Sequence, residues 1–265
     1  MEPWNWQTWN GSAYLTCSLL ERWPHGFFTA RFWPQPPEEL VNALQPNASV
    51  HRVQQVHGDQ VVSPTKLPQP VAAAHAVPLP PERSQADGVL TDSPLQAVWV
   101  CSADCTPVLI GDRATGQVAA IHAGWRGTAL KIVPQAIAKL QAQGSRLADL
   151  RIALGPAIAG EVYQVSTHVA ATVGATLVEA DCFSTSVDLV RHLQQQEKPP
   201  LLPDPEPGRA KLDVRRVNQM QLEQLGIDPA QIAVAPHCTF QAPEQFFSYR
   251  RTREKKVQWS GIVSV

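Results

Sequence analysis

Three short stretches carry the residues of this chain best suited to chemistry: QVHG (55–58), CSADCTPVLI (101–110) and IHAGWRG (121–127). Two of them set reactive side chains at the end of an apolar run, AVWV (97–100) before CSADC and VAAI (118–121) before HAGWRG. A strand that only fills a core needs neither a thiol nor an imidazole at its mouth. The imidazoles of His57 and His122 with the thiolate of Cys105 make a soft-to-borderline donor set, suited to zinc or to copper. Three protein ligands and one open position are the pattern of a catalytic zinc, which acidifies a bound water or polarises a substrate atom. The ligands do not fall in a compact CxxC or HExxH cluster. Taken alone, they equally fit hydrogen-bonded loop histidines and a small buried cysteine.

Neighbouring residues extend the candidate site. Asp104 adjoins the thiol and could orient a ligand histidine, act as general base, or simply cap a turn. Arg126, placed just before a helix start, is suited to an anion such as phosphate; a structural salt bridge is the competing explanation. Arg250 and Arg251 in FFSYRR are a second source of guanidinium groups, or a solvated surface pair. Trp125 could stack on a planar ring or pack in the core. Cys101 lies inside its apolar run and is expected to pack, and His237 to lie at a core edge.

The chain around these residues is unremarkable in charge. Of 265 residues, 44 % are apolar and 17 % charged, with a net charge of −1. There is no basic excess to bind nucleic acid and no acidic run to form a disordered tail. No stretch is long and apolar enough for a membrane span, and the N-terminal residues lack the pattern of a secretion signal. Five irregularly spaced cysteines are expected to stay reduced in a cytoplasmic protein.

The elements that must position the site follow from periodicity. A strand pair is expected within 12–33, a helix over 34–44, and a strand over 51–62 turning at His57-Gly58-Asp59. The proline-rich stretch 63–84 reads as a loop excursion. LQAVWV and QVAAIHAG read as central strands of parallel type, followed by a long helix over 127–144 that ends at Gly144. RIALGPAI and IAVAPHCTF read as further buried strands, 166–180, 184–196 and 212–226 as helices, and 198–211 as a second proline-rich loop. Buried strands alternating with helices predict one mixed α/β domain over 1–265.

Taken in order, HGFFTAR (25–31), QVHG (55–58), ADGVLTD (86–92), SADCTPVLI (102–110), AAIHAGWRGT (119–128), ALGPAI (153–158), LDVRRVNQMQL (212–222), CTF (238–240) and FFSYRR (246–251) resemble the YfiH-like family, also called the laccase-domain, polyphenol oxidase or peptidoglycan editing factor family. The resemblance implies a three-layer α-β-α sandwich around a mixed sheet, related in site layout to cysteine-hydrolase-like toxins. It implies zinc on His57, Cys105 and His122, and phosphorolysis of adenosine, inosine and 5′-methylthioadenosine, with deamination of adenosine besides. On that basis His57, Cys105, His122 and Asp104 are the candidate catalytic residues. Arg126, Arg31, Arg250 and Trp125 are the candidates for holding phosphate and nucleoside. The expected partners are small molecules, not nucleic acid or membrane. The chain departs from the family pattern at FWPQPPEE (32–39) and at AGEVYQV (159–165), which bear on substrate choice.

Three rival expectations remain. Cys105 as nucleophile with His122 as base would make an amide hydrolase acting on peptidoglycan precursors. A copper-dependent polyphenol oxidase needs several coppers and many histidines, and of the eight present only His57 and His122 sit in ligand contexts. A purely structural zinc would need a fourth protein ligand, and none stands out.

Overall fold

Apolar runs buried on both faces can belong to parallel or antiparallel sheets, and here the connecting turns decide for antiparallel. The computed structural model describes residues 3–66, 83–179 and 182–265. Its strands are β1 Trp4–Trp9, β2 Ser12–Cys17, β3 His25–Phe28, β4 Ser49–Arg52, β5 Val61–Val62, β6 Gly88–Leu90, β7 Gln96–Ser102 and β8 Thr106–Asp112. They continue with β9 Val118–Ala123, β10 Leu150–Leu154, β11 Gln164–Ser166, β12 Leu201–Pro203, β13 Arg209–Leu212, β14 Ile232–Val234 and β15 Gln258–Val263. The α-helices are α1 Pro37–Leu40, α2 Trp125–Ala129, α3 Ile132–Ala142, α4 Thr167–Gly174, α5 Ser186–Gln194, α6 Val214–Gln224 and α7 Tyr249–Thr252.

The fold is mixed α/β, but its strands do not form one sheet. One six-stranded sheet runs β1-β2-β3-β15-β7-β4 and a second runs β14-β10-β8-β9-β6-β5, with β11-β13-β12 as a small third. Among the described residues, parallel ladders join β4–β7, β5–β6 and β10–β14, and isolated parallel bridges join Gln54 to Gln85 and Ala157 to Cys238. The expected parallel central strands are corrected in part: β7 pairs parallel with β4 but antiparallel with β15, and β9 pairs antiparallel with both β8 and β6. For β8 and β9 the reason is the connection Arg113–Gln117, too short for a crossover helix, whereas the turn Ala103–Cys105 passes the chain from β7 of one sheet into β8 of the other.

Strand alternation then builds the layers. Val98, Val100 and Ile262 of the first sheet meet Val89, Leu109, Ala120 and Ala153 of the second in a shared interior. The other face of the second sheet, with Val108, Ile110 and Ile121, is covered by Ile132, Val133, Ile137 and Leu140 of α3 and Leu222 of α6. Phe32, Leu40 and Val41 cover Phe28, Trp99 and Val263 on the first. A fourth cluster joins α4, α5 and the small sheet through Val173, Leu189, Leu193, Leu201 and Leu212, and Trp125 and Tyr163 pack against it.

Several expected elements change shape. The helix expected over 127–144 begins earlier, at Trp125, and is two helices: Lys131 takes a left-handed φ of 58° between α2 and α3. Pro134 thereby falls in the first turn of α3, where its missing N–H costs nothing. The helix over 34–44 is a single α turn continued by a 3₁₀ turn, Val41–Ala43. The second proline-rich loop contains β12 and β13, with Pro203 tolerated because β12 is an edge strand. In the expected strand IAVAPHCTF only Ile232–Val234 is extended into a ladder. The expected loop over 63–84 lies mostly outside the described residues. Cys17, Cys101, Cys105, Cys182 and Cys238 are all free thiols. Among the described residues no helix is long and apolar enough to cross a membrane.

Because α3 is the main cover of the second sheet, truncating its fully packed Ile137 should cost stability without touching the site. Ile137→Ala is expected to lose about 2–4 kcal/mol in urea unfolding, with metal binding by the folded protein unchanged.

Candidate metal centre and its cavity

His57, Cys105 and His122 converge from three separate segments, and their ligand atoms lie within 4.8 Å of one another. His122 is the penultimate residue of β9 and is buried, Cys105 closes the turn into β8 and is half-buried, and His57 is exposed in the loop between β4 and β5. The two imidazole rings stand nearly perpendicular, 84° apart at 4.8 Å between centroids.

The residue that assembles them is Asp87, buried just before β6. Its Oδ2 accepts from the backbone amides of Val56 (3.1 Å) and Gly58 (2.7 Å), and its Oδ1 from that of His57 (2.9 Å). Three successive amides thus cradle one carboxylate, with His57 held at a left-handed φ of 62°. The same Oδ1 accepts from Nδ1–H of His122 at 2.8 Å, and the Asp87 carbonyl accepts from the His122 amide at 2.7 Å. This fixes the tautomer of His122 and leaves Nε2 as its donor atom. Burial alone would raise the Asp87 carboxyl; His122 and the amides outweigh it and hold it below the usual carboxylate range. Gln55 fastens the loop further: its Nε2 donates to the Cys101 carbonyl (2.8 Å) and its Oε1 accepts from the Cys101 amide (2.7 Å).

Electrostatics separate the two cysteines of CSADC. Burial pushes the Cys101 thiol up to about 11, so it stays protonated and packs, as its apolar run implies. Burial also opposes ionisation of Cys105, but the adjoining His122 and His57 overcome it and bring the thiol down to about 6. Reciprocally, the thiolate and Asp87 overcome burial and lift His122 to about 9. The donor set therefore fits a borderline divalent cation: a thiol disposed to ionise, one imidazole with its second nitrogen already committed, and a second imidazole on the open side. Gly124 is needed for the approach, since a Cβ there would lie 2.9 Å from the Cys105 sulfur. Gly127 does the same for the loop, where a Cβ would lie 2.9 Å from the Gly58 carbonyl oxygen.

The trio opens into a cavity of about 500 Å³, lined also by Asp104, Trp125, Arg126, Tyr163 and Arg250. Asp104 does not orient the histidine; Asp87 occupies that role. Held at φ 95°, Asp104 accepts from Thr239 Oγ1 and from the Arg250 amide, both at 2.7 Å, and so ties the ADC turn to α7. Arg250 lies over the Tyr163 ring at 4.7 Å and donates to the Gln164 carbonyl at 2.8 Å. Arg126 lies over Trp125 at 4.5 Å and is exposed toward solvent. Arg31 is elsewhere: it lines a smaller cavity with Trp6, Thr29 and Glu244. Arg251 is structural, its guanidinium donating to the carbonyls of Thr239, Phe240 and Phe246. His237 packs against Trp6 and Phe246, away from the trio. The buried amides of LDVRRVNQMQL act from behind. Asn218 donates to Thr128 Oγ1 and Gln221 to the Thr128 carbonyl, anchoring α2 and with it Trp125 and Arg126.

Sequence reasoning missed Asp87 and Tyr163. Asp87 sits within ADGVLTD, where an acidic residue opening an apolar strand was a usable signal; Tyr163, alone in a loop, offered none.

Comparison with known proteins identifies the family. The family model described as multi-copper polyphenol oxidoreductase laccase matches residues 37–263, and the chain belongs to that YfiH-like family. A Synechocystis protein named purine nucleoside phosphorylase is 56 % identical over 98 % of this chain and 97 % of its own length. A Bacteroides thetaiotaomicron protein of the same name is 29 % identical over 82 % of this chain and 70 % of its own. The crystal structure of the hypothetical protein YfiH from Bacillus licheniformis superposes with a TM-score of 0.76, at 26 % identity and 98 % coverage of both chains.

Asp87→Asn keeps the shape but removes the charge and one acceptor of the cradle, and is expected to weaken metal affinity by about 10- to 100-fold in competition with a chromophoric chelator. In metal-free protein, alkylation of Cys105 should reach half its limiting rate near pH 6, because the thiolate is lost only below that value. His122→Asn should move this midpoint upward, toward the ordinary range of a free thiol.

Proposed function

We propose that the protein is a zinc-dependent purine nucleoside phosphorylase, acting on adenosine, inosine and 5′-methylthioadenosine, with adenosine deamination as a side activity. One observation carries this: the His57, Cys105 and His122 donor set opens into the same cavity that Arg126 and Arg250 line. The relatives named purine nucleoside phosphorylase support the choice of substrate. Among the described residues only that one donor cluster is found, which weighs against a reaction needing several coppers.

His57, Cys105 and His122 would hold the cation, which when bound supplies a Lewis acid able to acidify a water or polarise a substrate atom. Phosphorolysis itself asks two things of the chain: an oriented phosphate, and a nucleoside held with its anomeric carbon facing it. Arg126 and Arg250 present guanidinium groups to the anion, each held over an aromatic ring and so limited in its directions. Trp125, packed on the α4–α5 cluster, offers an indole edge or face to the base. Asp104 positions Arg250 through its backbone and does not meet the substrate in this scheme. The chemistry belongs to the whole chain acting as one unit, and to the cytoplasm, where five free thiols stay reduced.

A second reading has its own support. Cys105, His122 and Asp87 are aligned as a nucleophile, base and orienting carboxylate, the layout of a cysteine hydrolase. With the cation in place the thiolate is engaged, so the two readings separate on alkylation with and without metal.

Zinc-loaded protein is expected to release adenine or hypoxanthine together with a ribose 1-phosphate only when phosphate is present, and Cys105→Ala to abolish this. Base release that is absent from all three nucleosides, with amide cleavage by metal-free protein instead, would support the hydrolase.

A further inference from the structure

Tyr163 lines the cavity, and neither the proposed reaction nor the metal centre has used it. Its ring is fixed from two sides. One side packs against the α4–α5 cluster, and Arg250 lies over the ring at 4.7 Å. The backbone is fixed as well, because the Tyr163 amide donates to the Gly160 carbonyl and its carbonyl accepts from the Leu212 amide in β13. Such a ring has little rotamer freedom to lose on binding a ligand.

The phenol is also placed among charges. It shares one cavity with Cys105, Asp104, Arg126 and Arg250, so the same space holds the phenol, the candidate metal centre and both guanidinium groups. A phenol ordinarily ionises only at about pH 10, so half-buried here it remains a neutral O–H donor at any working pH. The guanidinium over the ring is already spent in part, since Arg250 donates to the Gln164 carbonyl at 2.8 Å. A tetrahedral oxyanion bound there has more acceptor oxygens than the remaining fork can satisfy, and the phenol is the neutral donor placed beside it.

We propose that the Tyr163 hydroxyl is part of the anion subsite, donating a hydrogen bond to the phosphate held by Arg126 and Arg250. This rests on the phosphorolytic reading and names the residue that sets its affinity for phosphate. In the reaction, a phosphate oxygen forms the bond to the anomeric carbon while the C1′–N9 bond breaks toward the purine. The proton carried by hydrogen phosphate ends on the departing base, and Tyr163 keeps its own proton throughout.

Tyr163→Phe tests this cleanly because it preserves the ring under Arg250 and removes only the hydroxyl. Two measurements are made on zinc-loaded protein: calorimetric titration with inorganic phosphate, and steady-state kinetics with inosine. The variant should bind phosphate about ten-fold or more weakly, as expected for one lost hydrogen bond to a charged group. The KM for phosphate should rise in step, while the KM for inosine, the pH profile between 6 and 9 and the melting temperature stay as in the wild type. Phosphate affinity within two-fold of the wild type overturns the inference, as does a rise in the inosine KM alone, which would turn the hydroxyl toward the nucleoside. Wild-type protein that binds phosphate yet leaves nucleosides intact overturns the phosphorylase reading, while the calorimetric comparison still decides the role of Tyr163.

Discussion

A single buried carboxylate holds the site together. Asp87 accepts from three consecutive loop amides and one imidazole, and through them it sets the position of His57 and the tautomer of His122 at once. Leaving a buried carboxylate without partners is costly, whereas one with four donors is stable and rigid. The arrangement is reciprocal. Neither the left-handed turn at His57 nor the proton on Nδ1 of His122 is easily kept without it, and the charge is not easily kept buried without them.

The second constraint is topological. The chain reaches Cys105 in the few residues that carry it from one sheet to the other, so the thiol lies where the two sheets part and a cavity can open. Asp104 makes that turn possible with its unusual backbone, and its carboxylate is then available to tie Thr239 and Arg250 into the same wall. The candidate metal donors and Arg250 are thereby referenced to one turn. Glycines complete the fit. Gly124 admits the sulfur, and Gly127 lets α2 lie directly on the histidine loop.

What could be read from the chain beforehand follows from how specific each chemical demand is. Donor atoms for a borderline cation come from few residue types, so His57, Cys105 and His122 stood out against apolar surroundings. The amphipathic pattern of α6 was equally plain, although the reason for its buried Asn218 and Gln221 was not, because their partner Thr128 is ninety residues away. Burial on both faces marked β7 and β9 as central without revealing their direction, since parallel and antiparallel ladders bury the same side chains, while β8 was read only as part of the CSADCTPVLI motif. The break at Lys131 was masked by a helical apolar pattern that runs on through it. Arg31 was grouped with the other arginines by residue type, and only the path of the chain separates it from them. Asp87 escaped notice because a carboxylate that works through hydrogen bonds to backbone leaves no spacing pattern in the sequence.

The proposed chemistry requires one cation bound jointly by sulfur and two imidazoles. X-ray absorption at the zinc edge of the purified, zinc-loaded protein addresses that directly. A single sulfur scatterer at about 2.3 Å with two imidazole nitrogens at about 2.0–2.1 Å, at one ion per chain, is the predicted first shell. A shell of nitrogen and oxygen alone, unchanged when Cys105 is replaced by serine, would contradict it.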